Sequence, residues 1–412
     1  MWHKGCVMRK IAIIGGGAAG LMAAVAASKE NEVFLFEKNE KLGKKIYITG
    51  KGRCNLTNQC DIETFLDNVL VNSKFLYKAL NVLSPSSTME FFNNFGLELK
   101  IERGNRVFPL SDKASDVTKT LEKTIKSQGV NVILNTKIDG LVVENGAIKG
   151  VKIGEDFKEF DSVILATGGI SYPLTGSTGD GYNFAIKLGH NVVSLKPSLV
   201  GMELFGNLHN KLQGLSLKNV KITVFLSGKP VYSDFGEMLF THFGVSGPII
   251  LSCSAVCNKL DLNNAEISID FKPALSDDTL DLRLVREFND NKNKNLSSVI
   301  RSLLPKALVE PFIKRLAINS SLTTSEVTTI KRREIINLLK DFRLKIKGLR
   351  PIEEAVVTSG GVNVKEINPK TMESKLVKGL FFAGEVIDVD AFTGGFNLQI
   401  AFSTGYLAGL NA

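Results

Sequence analysis

Three stretches of this 412-residue sequence predict an α/β fold whose main domain is discontinuous. The first is IAIIGGGAAGLMAAVAASKENEVFLFE, residues 11–37. The second is the apolar run at 160–169, which ends on Gly168-Gly169. The third is LFFAGE at 380–385, followed by a glycine loop at 391–398 and an apolar tail. The first and third sit at opposite ends of the chain, so what lies between them must interrupt the domain they form.

In the first stretch an apolar strand, Ile11–Ile14, stops at Gly15-Gly16-Gly17, a small-residue helix follows from Ala18 to Ser28, and a strand Val33–Phe36 ends on Glu37. This is the strand, glycine turn, helix, strand, acid order of a Rossmann-type dinucleotide site. Gly15 allows the tight turn, Gly17 lets the backbone approach a pyrophosphate, and Gly20 lets helix and sheet pack closely. The helix N-terminus offers free N–H groups and partial positive charge to phosphate. Glu37, 22 residues after Gly15, suits the hydroxyls of an adenosine ribose and would repel a 2′-phosphate. That favours FAD or NAD over NADP at this end.

The N-terminal part of the domain is read as 1–194, with residues 38–58 as a basic, glycine-rich loop and helices near 63–95 and 115–127. A strand is expected in 128–135, and a hairpin turns on Asn145-Gly146. Composition changes at Lys196-Pro197. Residues 195–275 read as a β-rich insert and 276–345 as a small helical subdomain, with amphipathic spacing in 298–315 and 329–342. Residues 346–412 return to the first domain through a strand at 380–383 and a helix at 399–410.

The C-terminal block selects FAD. Its flavin end needs contacts that the N-terminal motif cannot supply. A strand ending in Gly384-Glu385 can place a carboxylate on a ribityl hydroxyl. The loop Thr393-Gly394-Gly395, with a helix starting near Asn397, can aim N–H groups at the flavin pyrimidine edge and stabilise negative charge there.

Composition is that of a globular protein, 44% hydrophobic and 23% charged, with no apolar run of bilayer length and no signal-peptide core in MWHKGCVMRK. A cytoplasmic protein without a membrane partner is expected. The net charge of +9 is spread rather than blocked, and no aromatic–basic interleaving appears, so nucleic acid is not an expected partner. The five cysteines imply no disulfide framework. Cys253 and Cys257 read as buried thiols on one helix face, and no metal site is expected.

The chain resembles the aminoacetone-oxidase-like FAD-binding family (the BaiN/RdsA type of NAD(P)/FAD-dependent oxidoreductase). The resemblance rests on GGGAAGLMAA (15–24), GKKIYITGKGRCNLTN (43–58), GNRVFPLSDKASDV (104–117), ATGGISYPLTGSTGDGY (166–182), LFTHFGVSGP (239–248) and residues 371–405. One departure is Lys51, where the family pattern has glycine. The resemblance implies an FAD-dependent oxidoreductase with this domain plan. It places Gly15, Gly17, Ala18, Ala19 and Gly20 at the pyrophosphate, and Glu37 and Lys38 at the adenosine ribose. Lys45, Gly52, Arg53, Cys54 and Asn55 fall near the pyrophosphate or flavin, and Ala166, Thr167 and Gly168 on the adenosine side. Gly384, Glu385, Asp388, Gly395, Asn397 and Leu398 serve the ribityl and flavin end. Lys38 also reads as an exposed lysine and Cys54 as a packing thiol. Asp388 and Asp390 read equally as solvated loop carboxylates.

For catalysis His242, in the turn-rich FTHFGVSGP, is the proton donor or carbonyl anchor the sequence offers, and it reads equally as a structural histidine. Arg53, Tyr172 and Arg106 are further candidates. His190 reads as a helix-end residue, and His3 and His209 as incidental. Two enzymatic readings stand: an NAD(P)H-dependent reductase of an activated C=C bond, and an O₂-using oxidase of an amine such as aminoacetone. Gly176–Gly181 lacks the strand and acid of a second dinucleotide unit, so NAD(P)H would dock transiently. A non-enzymatic FAD-bound redox or nucleic-acid-binding protein is the third reading. A small-molecule substrate is expected; its identity and the oligomeric state are open.

Overall fold

The computed structural model describes residues 8–319 and 321–412. His3 and Cys6 lie outside them. The chain divides into two compact units, one of residues 1–198 with 352–412 and one of 199–351.

The first unit is built on a five-stranded parallel sheet. Its strand order is Leu380–Phe382, Ser162–Leu165, Lys10–Ile14, Glu32–Phe36, Asn131–Ile133. The Lys10–Ile14 and Ser162–Leu165 strands are apolar and buried, as strands covered on both faces must be. The helix Ala18–Ala27 follows the glycine turn, and the C-terminal helix Phe396–Asn411 lies on it. Small residues permit this approach: a Cβ added at Gly405 would lie 2.2 Å from the Ala19 carbonyl oxygen, and one at Gly409 2.3 Å from that of Ala23. Both helices therefore lack a polar stripe and are buried along most of their length.

Strands Gly140–Glu144 and Ala147–Ile153 pair around Asn145-Gly146, both with positive φ as a two-residue hairpin turn requires. Residues 38–58, read as a loop, instead contain a helix Lys44–Ile48, a 3₁₀ turn Thr49–Gly52 and a short strand Thr57–Asn58. Strands Val192–Ser198 and Val357–Val362 form a separate antiparallel pair in the same unit.

The second unit is a closed six-stranded barrel, in the order Met202–Leu204, Gly244–Ser246, Lys229–Phe240, Ser216–Leu226, Ala265–Asp270, Phe342–Leu349. Helices Asp277–Asp290, Leu296–Leu303, Lys306–Arg315 and Thr329–Lys340 form one excursion between its last two strands. The final strand runs through residue 345, so the change from the helical segment back to the first domain does not occur there. Inside the β-rich segment Pro248–Cys257 is a helix, and it brings the buried Cys253 and Cys257 sulfurs to 3.8 Å. Among the described residues no helix is long and apolar enough to cross a membrane.

Candidate functional site

A cavity in the first unit opens where its parallel strands end. It is lined by residues that follow each strand: Gly15–Ala19 after the first, Glu37-Lys38 after the second, Thr136–Ile138, Ala166–Gly168, and Ala383 with Glu385. Ligands of doubly wound folds bind outside the carboxyl ends of strands.

Two helix N-termini supply backbone donors to it. In the helix Ala18–Ala27 the first intrahelical bond runs from the Leu21 N–H to the Gly17 carbonyl, so the N–H groups of 18–20 have no intrahelical acceptor. No side chain caps this end and no acid sits in its first turn. A Cβ at Gly17 would meet nothing within 4 Å, so the backbone is open to a ligand there. In the helix Phe396–Asn411 the Gln399 N–H donates to the Gly395 carbonyl, which leaves the N–H groups of 396–398 in the same condition, and Asn397 and Leu398 line the cavity. A cradle with two donor ends suits a long, anionic dinucleotide.

A carboxylate stands near each end. Glu37 is held by its neighbours: Oε2 accepts the Gly16 N–H at 2.8 Å, and Oε1 accepts the Asn39 N–H at 2.8 Å and its side-chain amide at 2.6 Å. Its remaining acceptor capacity fits ribose hydroxyls. Glu385 accepts the Lys45 ammonium at 2.7 Å, the Ser171 hydroxyl at 3.0 Å and the Thr358 N–H at 2.8 Å. Burial pushes the Glu385 carboxyl up, but the Lys45 charge and these hydrogen bonds outweigh it and hold the group below its ordinary value. Thr358 also accepts the N–H groups of Ile170 and Ser171, which fixes the loop after the Ser162–Leu165 strand. Thr167 Oγ1, lining the cavity, is buried with no partner among the described residues.

Of the residues singled out from sequence, the cavity gathers Gly15, Gly17, Ala18, Ala19, Glu37, Lys38, Lys45, Ala166, Thr167, Gly168, Glu385, Asn397 and Leu398. Lys38 is engaged there, paired with Asp180 at 2.6 Å. Asn397 spends its amide on the loop before its helix, accepting the Ala391 N–H at 3.0 Å and donating to the Ala391 carbonyl at 2.8 Å. Gly20, Gly384 and Gly395 work by close packing: added Cβ atoms would lie 1.8 Å from the Gly15 oxygen, 2.7 Å from the Ala19 Cβ and 2.3 Å from the Thr57 oxygen.

The structure does not bring the rest to the cavity wall. Arg53 is drawn into an ion cluster with Glu102 and Asp112, 4.2 Å above the Phe108 ring, which raises its pKa through those hydrogen bonds. Gly52 is exposed beside it. Cys54 is fully buried, and burial pushes its thiol up to about 12, the behaviour of a packing thiol. Asn55 has its side-chain oxygen buried without a partner among the described residues. Asp388 and Asp390 are not solvated: they are 8% and 1% exposed, with Asn72 donating to Asp388 and Ser198 and Ser359 donating to Asp390. Tyr172 is half-buried with φ 51°, its N–H donating to the Glu353 carbonyl.

His242 belongs to the second unit. It is exposed between strands Lys229–Phe240 and Gly244–Ser246, edge-on to Phe243, over which Arg350 stacks at 4.7 Å. His190 is buried and bridges Glu366 and Ser374, and His209 is buried too. Sequence reasoning missed Asn39, Ser171, Asp180 and Thr358. The glycine-rich stretch 166–182 signalled a loop near the site, but nothing in it marked which polar side chains turn inward.

The HI0933-like protein Rossmann domain family matches residues 9–411. A 3-dehydro-bile acid Δ(4,6)-reductase of Clostridium scindens is 32% identical over 414 residues, covering 98% of each chain. A ribosomal RNA dihydrouridine synthase of Escherichia coli K12 is 29% identical over 400 residues, covering 96% of this chain and 95% of that one. Among solved structures, a 3-ketosteroid-Δ4-(5α)-dehydrogenase from Rhodococcus jostii RHA1 shares the fold, with a TM-score of 0.51 at 13% identity over 99% of this chain and 97% of that one.

Proposed function

The chain belongs to the HI0933-like Rossmann-domain family and is an FAD-dependent oxidoreductase, and from that premise we propose that it reduces a carbon–carbon double bond conjugated to a carbonyl, with a reduced nicotinamide dinucleotide as electron donor. The FAD site is supported by one cavity lined at the N-termini of two helices, 18–27 and 396–411, with Glu37 and Glu385 held beside it, and the reductase chemistry by the 32% identity to the bile acid Δ(4,6)-reductase. Bound FAD supplies hydride transfer at N5. The chain's residues do the rest. The N–H groups of 18–20 take the pyrophosphate and Glu37 the adenosine ribose, with 166–168 alongside. Glu385, kept ionised by Lys45, takes a ribityl hydroxyl. The N–H groups of 396–398 stabilise negative charge at the pyrimidine edge. Tyr172 lies in the loop that carries Ser171. The cytoplasm, where the four described free cysteines stay reduced, is the compartment this reading expects.

The bond class is supported by the two relatives together. A 3-oxo group beside a Δ4,6 system and the pyrimidine ring of uridine both present a C=C bond conjugated to a carbonyl. The 29% identity to the dihydrouridine synthase favours a second reading in which that bond belongs to a uridine in RNA. The test is oxygen-free turnover with NADH or NADPH against a 4-en-3-one steroid and against a ribosomal RNA fragment. Nicotinamide oxidation matched by loss of enone absorbance supports the first reading, and dihydrouridine formation the second. Peroxide from aminoacetone and O₂, without a nicotinamide, would replace both with an oxidase.

A further inference from the structure

We propose that Lys38, Asn39 and Asp180 form a clasp that sets how fast FAD leaves the protein. The inference rests on reading Glu37 as the acid of the adenosine ribose.

Glu37 follows the strand Glu32–Phe36, and the next two residues reach away from it to one segment. Asn39 bridges: its side-chain amide donates to Glu37 Oε1 at 2.6 Å and to the Thr175 carbonyl at 3.1 Å. Lys38 donates to Asp180 Oδ2 at 2.6 Å and to the Thr178 hydroxyl. Gly176, at φ 103°, leaves room for this contact, because a Cβ there would lie 2.5 Å from the Asn39 amide nitrogen. Thr175, Gly176, Ser177 and Asp180 line the same cavity as Glu37 and Lys38.

Segment 175–180, from the end of the 3₁₀ turn Pro173–Thr175 to the first residue of the helix Asp180–Lys187, is thus a wall of the cavity tied to the segment that carries the ribose acid. Among the described residues every hydrogen bond between 37–39 and 175–180 runs through a side chain. Such a wall can part without breaking a sheet or a helix. The ties also change the role of Lys38. Its charge is balanced by Asp180, whose carboxyl burial pushes up and the Lys38 contact pulls back below its ordinary value. Lys38 therefore serves the loop rather than the adenosine ribose. All three are positioning residues: they touch Glu37 or each other and shape the exit path.

The test is FAD release from the holoenzyme, followed as free-FAD fluorescence after dilution into flavin-free buffer. K38M and D180N should each release FAD about fivefold faster, the scale of one partly exposed ion pair. The double variant should release no faster than either single one, and the charge-swapped K38D/D180K should move back toward the parent rate. N39D, which sets a carboxylate against Glu37, should exceed N39A. Melting curves of each holoenzyme and its apoprotein show whether a variant is folded. Parent-like release from folded K38M, D180N and N39A would overturn the clasp. E37Q separates the two layers. Fast release from E37Q alone removes only the clasp, and parent-like release from E37Q removes the ribose reading beneath it.

Discussion

Replacing Gly17 with alanine should weaken FAD binding and leave the fold alone. Gly17 is the N-cap of the first helix, at φ −80° and ψ −169°, a conformation alanine adopts freely. The new Cβ meets nothing within 4 Å. Alanine at an N-cap costs about 0.5–1 kcal/mol relative to glycine, and the loss of unfolded-state freedom returns about 0.4–1 kcal/mol, so the two offset and apoprotein stability should change by less than about 0.6 kcal/mol. Binding is different. The methyl group occupies the space through which a pyrophosphate reaches the N–H groups of 18–20. Weakening one or two charge-assisted hydrogen bonds, each worth about 1.5–3 kcal/mol, should lower FAD affinity by about 10- to 1000-fold. Gly20→Ala is the contrast: its Cβ would lie 1.8 Å from the Gly15 carbonyl oxygen, so it should destabilise the apoprotein itself. Fluorescence titration with FAD and apoprotein melting measure the two effects. An unchanged FAD Kd in Gly17→Ala would refute the placement of the pyrophosphate.

Two further perturbations follow from the geometry. Lys51 sits in the left-handed region, φ 59° and ψ 41°, so Lys51→Gly should raise stability by about 1 kcal/mol, seen as a higher denaturant midpoint at unchanged m. Glu385 is held below its ordinary pKa, so its contribution to stability is complete above the unfolded carboxylate range and is lost as pH falls through the lowered folded value. Glu385→Gln should remove that acid limb from the stability–pH profile and leave the Lys45 ammonium without its carboxylate; an unchanged acid limb would show that Glu385 does not carry it.

The parts of the fold legible in the sequence are those whose signal is local. GGGAAG with Glu37 reports a strand–helix–strand unit because glycine turn, helix start and acid lie within one short stretch. Asn145-Gly146 reports a hairpin because two adjacent residues must adopt positive φ. The strand Phe342–Leu349 alternates buried and exposed residues, yet it follows directly on a helix ending at Lys340, and the change of period was masked by its lysines and arginine. Pro248–Cys257 lies among strands and its apolar run fits either element. At the site, backbone cradles were readable and side-chain partners were not. Arg53 looks like a ligand for phosphate in GKGRCN, but its destiny is set by Glu102 and Asp112, 49 and 59 residues away. Asp390 looks like a loop acid until Ser198, 192 residues earlier, is seen to donate to it.

The measurement that bears most directly on the central claim is an oxygen-free two-step titration of the FAD-loaded protein. NADH or NADPH is added first, and a conjugated enone second, with the flavin absorbance followed throughout. The reductase account predicts bleaching by the nicotinamide and full return of the band on adding enone, with one saturated product per flavin reoxidised. A band that a nicotinamide leaves untouched, but that an amine bleaches and air restores with release of peroxide, would contradict it.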